Sequence, residues 1–191
     1  MFLTELVTIN SGQPQFRISE TSDLEAPSYT YYTQANLELD AQLADRTISP
    51  NKVIRTFDTI TSLLSAGDVI FSLISGKSAR VSNMHQGFLY TQNYVKLIPT
   101  PKIDANYLIY LLNESVLIQK QLTNGLQGTQ VLKYTMKQLK SLKLPKLPTL
   151  SKQCLIGDIY CKQQKLAYLK QRSAQLEKFL VLHQLQKASS K

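Results

Sequence analysis

Apolar and polar positions come in short bursts through the first hundred residues, then settle into a helical rhythm. Leu3, Leu6, Val7 and Ile9 precede a Ser11-Gly12 turn. Tyr29, Tyr31 and Tyr32, followed by Leu37 and Leu39, predict a strand or strand edge over 28–39. The β-branched and polar mixture of residues 47–64 predicts another strand. Gly67-Asp68 reads as a turn, and Val69 to Ile74 as a short buried strand that Ser75-Gly76-Lys77-Ser78 breaks. A strand pair is expected from Phe88 to Ile98, closed by Pro99 and Pro101. Asp104 then caps a helix carrying Tyr107, Leu108, Leu111, Leu112 and Val116 at spacing near 3.6. Asn124 to Thr129 is a loop with two glycines, residues 135–140 a short helix, and Leu142 to Pro145 a terminal strand.

After Thr149 the character changes. No proline follows Pro148, and Gly157 is the only glycine after Gly128. With Ile159 as an a position, Leu155, Lys162, Leu169, Leu176 and His183 fall at d, and Leu166, Ser173 and Leu180 at a. Six of these nine positions are apolar, which gives one sticky face short of an ideal zipper. A helix over 151–187 is about 55 Å long, more than a head of this size can cover, so the stripe calls for a partner helix. The structural alternative is a helix folded back on its own head.

Charge sharpens that division. Of the 191 residues, the first 130 carry nine Lys/Arg against eleven Asp/Glu, and the remainder thirteen against two. The whole basic surplus of the +9 chain therefore lies in its last third. A solvated lysine-rich face is the bland explanation, but salt-bridged helix faces mix signs, and this imbalance favours a polyanion nearby. No apolar run approaches the roughly 20 residues of a membrane span, and the N-terminus lacks the pattern of a secretion signal. Cys154 and Cys161 are seven apart on one predicted helix, too far for a disulfide within it, so reduced thiols in a cytoplasmic protein are expected. The two are expected to pack near the seam.

Catalytic signatures are missing. His85 and His183 lie on different segments with no Cys/His/Asp spacing for zinc. There is no Gly-x-Ser-x-Gly elbow and no Gly-x-Gly-x-x-Gly cradle. Gly76-Lys77-Ser78 ends like a P-loop, but Phe71 stands where its first glycine belongs. An Asn-Pro-Pro-aromatic tetrapeptide, the mark of amino-methylating DNA enzymes, is also absent. Binding without catalysis, with no cofactor and no metal, is the expectation.

The order of features resembles one half of the DNA-specificity subunit of Type I restriction–modification systems. Leu6-Val7-Thr8-Ile9-Asn10-Ser11-Gly12 is similar to that family's first strand and turn, and Gly67-Asp68-Val69-Ile70-Phe71-Ser72 to its central strand. Leu126-Gln127-Gly128-Thr129 resembles its late loop. Leu142-Lys143-Leu144-Pro145 through Gln153, with Ile156, resembles its entry into a long helix. The resemblance implies an α+β fold: a mixed-sheet target recognition domain over 1–148, then a long coiled-coil-forming spacer helix over 149–191. It implies a non-catalytic subunit that reads one half of a bipartite duplex DNA site and directs methyltransferase and restriction/translocase subunits. The usual subunit holds two such units and this chain one. A half-subunit is thus implied, restored by an antiparallel homodimer through the helix or by a different second half; an inactive remnant is the third possibility.

Within that reading, forked donors on loops are the candidates for DNA contact. They are Arg17, beside Gln13 and Gln15; Gln34, beside Thr33 and Asn36; Ser75, Gly76, Lys77 and Arg80; and Gly125, Gln127, Gly128, Thr129, Gln130 and Lys133. Tyr29, Tyr31 and Tyr32 are candidates for stacking or phosphate contact, or equally for core packing. Lys137, Lys140, Lys143 and Lys146 are further phosphate candidates, whereas Lys162, Lys165, Lys170, Arg172 and Lys178 are expected to face an acidic partner. Leu155, Ile159, Leu166, Leu169, Leu176 and Leu180 form the expected dimer seam. Two other classes compete: a coiled-coil adaptor whose basic helix docks an acidic protein without DNA, and a hidden catalyst.

Overall fold

The computed structural model describes residues 1–42, 51–124 and 133–189. The chain runs β1 (Val7–Ser11), β2 (Ser28–Thr30), α1 (Gln34–Asp40), β3 (Val53–Arg55), β4 (Val69–Ser72), β5 (Ser78–Arg80), β6 (Tyr94–Pro99), α2 (Ala105–Glu114), α3 (Val116–Asn124), α4 (Met136–Lys140) and α5 (Leu150–Ser189). The central sheet has the order β1-β6-β4-β5, and β2 and β3 form a separate ribbon. Both sheets pair antiparallel, while the isolated bridges Gln13–Thr91 and Tyr31–Leu89 are parallel, so the β layer is mixed.

Strand β4 is buried at all four positions, which explains its apolar Val69-Ile70-Phe71 run. Val69 and Phe71 pack with α2 residues such as Leu108 and Leu112. Ile70 points the other way, into a cluster with Tyr32, Leu37 and Tyr94. The α2 cap forms as expected, with Asp104 accepting the Tyr107 N–H at 2.8 Å. That helix stops at Glu114, because Ser115 turns to an extended conformation and α3 begins afresh at Val116.

Three expectations are corrected. Residues 28–39 are not one strand: β2 ends at Thr30 and α1 begins at Gln34. A reciprocal cap starts that helix, in which the Thr33 hydroxyl accepts the Asn36 N–H and the Asn36 carbonyl oxygen accepts the Thr33 N–H. The predicted terminal strand is reduced to a single bridge between Phe2 and Lys143, flanked by Leu3 N–H to Leu142 O and Leu144 N–H to Met1 O, both 2.9 Å. Pro145 lacks an N–H, so the ladder ends there. The cysteines are not at the seam. Cys154 bonds Asp104, and Cys161 lines a cavity with Arg80; burial pushes both thiols above their usual range.

Helix α5 begins cemented to the head. The buried Gln153 accepts the Asp104 N–H at 3.0 Å and donates to the Pro148 and Lys102 carbonyls. Gly157 lets the helices cross closely, since a Cβ there would lie 2.5 Å from the Tyr107 nitrogen. Tyr160 receives a bond from the Asn113 amide and donates to Glu114. At 40 residues the helix is about 60 Å long. From Lys165 onward only Tyr168 and Arg172 are half-buried among the described residues. The expected seam lies on the side away from α2: Leu155 is 61% exposed and Ile159 59%, although both flank the buried Gly157 turn.

Candidate nucleic-acid interface

Strand direction decides which loops meet. β1 and β4 run one way and β6 the other, so Ser11, Ser72 and Tyr94 lie at one end of the sheet. The loops leaving that end are 12–17 after β1, 73–77 after β4 and 91–93 before β6. The turn at Gln92–Asn93 is their common post. The Gln92 side-chain oxygen accepts the Gln15 N–H at 2.8 Å, and the Asn93 carbonyl accepts the Leu73 N–H at 2.8 Å. Lys133 reaches the same post, donating its ammonium to the Asn93 side chain at 2.5 Å.

The 73–77 turn is built around one hydroxyl. Ser72 Oγ accepts the N–H groups of Ile74 and Ser75 and donates to Gln34 Oε1 at 3.0 Å. Gly76 adopts φ +67, a conformation that favours glycine, and its Cα faces the Tyr134 ring, where a Cβ would overlap the aromatic carbons. Tyr134 also donates its N–H to the Leu73 carbonyl at 2.8 Å. Thus the turn after β4 and the chain entering α4 are pinned together. Lys77 bonds the Asn113 carbonyl at the C-terminal end of α2. Asn113 in turn pairs with both the N–H and the C=O of Ser78, closing that point of the edge strand.

The structure brings Ser75, Gly76, Lys77, Gln34, Arg17 and Lys133 to this end. Their states differ. Arg17 is exposed, its guanidinium 5.7 Å from the ring centre of Phe16. Gln34 is half-buried and committed, accepting from Ser72 and donating to Glu38. Arg80 is not at this end. It closes β5 opposite Val69, donates to Asn106 and lines a cavity of about 380 Å³ with Asn113, Tyr160 and Cys161. Three residues of strand carry it about 10 Å from Lys77. Gly125, Gln127, Gly128, Thr129 and Gln130 lie outside the described residues.

Tyr31, Tyr32 and Asn36 are core residues. Tyr32 donates its hydroxyl to Asp40 at 2.8 Å. Asn36, its oxygen occupied by Thr33, presents its NH₂ to His85 Nε2 at 3.1 Å. That contact makes Nε2 the acceptor, so His85 Nδ1 carries the hydrogen toward Asp40 at 2.8 Å. This network fixes α1 against the turn after β5. Beneath the loops, burial and the charge of Glu38 push the Tyr94 hydroxyl up to about 12. Lys137 and Lys140 stand on α4, which leads away from Lys133 toward the Leu3–Leu142 contact.

Sequence reasoning missed Phe16, Gln92, Asn93 and Tyr134. The polar triplet Thr91-Gln92-Asn93 interrupting an apolar run was the available signal for the post. Among the described residues no group of three His, Cys, Asp or Glu is placed to hold a metal, and no helix is long and apolar enough to cross a membrane.

A family model described as the Type I restriction modification DNA specificity domain matches residues 1–178. Among solved structures, the chain is similar to the HsdS subunit from Thermoanaerobacter tengcongensis, with TM-score 0.58 and 19% identity over 92% of this chain and 39% of that one. It is also similar to a chain from a structure on complex assembly and conformational transition of the type I R-M system, with TM-score 0.61 and 21% identity over 98% and 43%. These likenesses establish a shared α+β fold with the long helix. The chain spans about two fifths of the length of the solved structures it matches. No curated protein matches it.

Proposed function

The chain belongs to the Type I restriction modification DNA specificity domain family, and from that premise we propose that it is a half-sized specificity subunit that reads one half of a bipartite duplex DNA site. Residues 1–148 are the target recognition domain and 149–191 the spacer and dimerisation helix. The subunit performs no chemistry itself and directs methylating and restriction/translocase subunits. The family match across both head and helix carries this reading.

The loop end of the sheet is the DNA-facing surface. Lys77 and Lys133 contact phosphates, and Ser75, Gly76 and Arg17 lie against the duplex. Gly125, Gln127, Gly128, Thr129 and Gln130 are assigned to the same DNA-contacting set on the sequence resemblance alone. Gln34 acts by holding the turn after β4 through Ser72. Arg80 serves the helix side, not the DNA side. The exposed seam of Leu155, Ile159, Leu166, Leu169, Leu176 and Leu180 pairs with a second copy, antiparallel, so that two heads read a two-fold site.

Enrichment from a random duplex pool, with the methylating subunit present, tests the reading. A bipartite motif is expected, and no enrichment at any salt concentration refutes it. On the enriched site, Lys77→Ala and Lys133→Ala should each lower the salt slope of log affinity by about 1. Unchanged slopes remove these two lysines from the DNA face. An acidic protein bound in place of DNA would support the adaptor class instead.

A further inference from the structure

Phe16 is 80% exposed, as exposed as any large apolar side chain described. Single exposed apolar residues are ordinary on protein surfaces, so exposure alone carries little. The way this one is held carries more. Gly12, just upstream, is buried so tightly that a Cβ would overlap the Thr91 carbonyl. Pro14 restricts the backbone, and its carbonyl accepts the Arg17 N–H at 3.0 Å. The Gln15 N–H is tied to Gln92, the Gln13 side chain accepts the Thr61 N–H, and Ile18 is buried immediately after. The backbone is thus anchored on both sides of a one-turn helix, Gln15–Arg17, whose middle residue points its ring into solvent. Arg17 travels with that ring as a cation at its face. The Gln92–Asn93 post that holds Gln15 also holds Lys133, so the ring shares one end of the sheet with the proposed phosphate contacts.

We propose that Phe16 is an apolar wedge that inserts into a base-pair step of the bound duplex, with Arg17 on the flanking phosphate. Proteins that kink DNA use a rigidly presented apolar side chain beside cations in this way. The proposal rests on the DNA-reading function above and adds to it a deformation of the site at a position fixed by Phe16. Leu24 serves as an internal comparison: it is equally exposed, but lies on the stretch leading to β2, where Arg55 bonds its carbonyl.

The test uses the full chain with the methylating subunit and the sites that wild type enriches from a random 40-base-pair pool. Phe16→Ala should bind those sites about ten- to a hundredfold more weakly, with an unchanged salt slope. Phe16→Trp should restore binding, and Leu24→Ala should bind like wild type. 2-Aminopurine scanned along the enriched site should brighten at one step with wild type and not with Phe16→Ala. Phe16→Ala binding like wild type, or no brightening at any step with wild type, overturns the wedge while leaving DNA reading intact. Failure of wild type to enrich any duplex overturns the DNA reading and the wedge with it. Because the ring is exposed, an unchanged thermal melt of Phe16→Ala is expected and separates lost binding from lost folding.

Discussion

The first four turns of α5 and the remainder of the same helix obey different rules. From Gln153 to Gln164, one face is fastened to the head by a buried amide, a glycine crossing and a tyrosine hydroxyl. From Lys165 to Ser189, about twice that length of helix is largely exposed and offers Leu166, Leu169, Leu176, Phe179 and Leu180 to solvent. In proteins most helical stability comes from packing an apolar face rather than from propensity, and along this stretch that face is exposed. The contrast teaches that the near part of the helix belongs to the head, and that the far part is the surface left for the proposed second copy.

The largest effect should come from the far half. Leu166→Glu, Leu169→Glu and Leu176→Glu together should weaken the proposed self-association by more than about a thousandfold, since charges replace three leucines that the proposed seam would cover. Sedimentation should then show monomers while the head's thermal transition stays in place. A surviving dimer breaks the division at once. Gly157→Ala probes the near half in the opposite sense. Its Cβ meets the Tyr107 backbone and Asn106 Cβ, so the head should lose about 1–3 kcal/mol in denaturant titrations while the dimer constant holds.

The smallest effect concerns pH. Burial, followed by the bond to Glu114, pushes the Tyr160 hydroxyl up to about 12, against the opposing bond from Asn113. A tyrosine raised above its unfolded value of 10 contributes stability that is complete below pH 10 and lost as pH climbs toward 12. Head stability should therefore decline over that interval, and the decline should be shallower in Tyr160→Phe. An identical slope in the variant would show that Tyr160 is not part of the fastening.

How much of this was legible depended on whether the deciding interaction was local. The Asp104 cap, the β4 run and the long helix are readable because neighbours in sequence make them. The turn at Ser75-Gly76-Lys77 was readable for the same reason. The start of α1 was not, because its cap uses Asn36 where a Glu or Gln is the usual signal, and the tyrosines before it suggest a strand. Arg80 was grouped with Lys77 by sequence distance, but a strand separates its ends faster than a loop does. In the sequence Gly157 reads only as a break in composition. Its meaning lies fifty residues away, at Tyr107. Phe16 gave no periodic signal, and only the distant Gln92 and Thr91 explain why it stands upright.

The seat that Gly76 makes for the Tyr134 ring has a consequence for anyone exchanging reading heads among such proteins. The turn after β4 and the segment that Tyr134 opens toward α4 are two leaves sharing one aromatic pin. Transplanting either leaf alone leaves the pin without its socket or the socket without its pin. New reading preferences should therefore be grafted as a matched pair, with the glycine and the tyrosine carried over together.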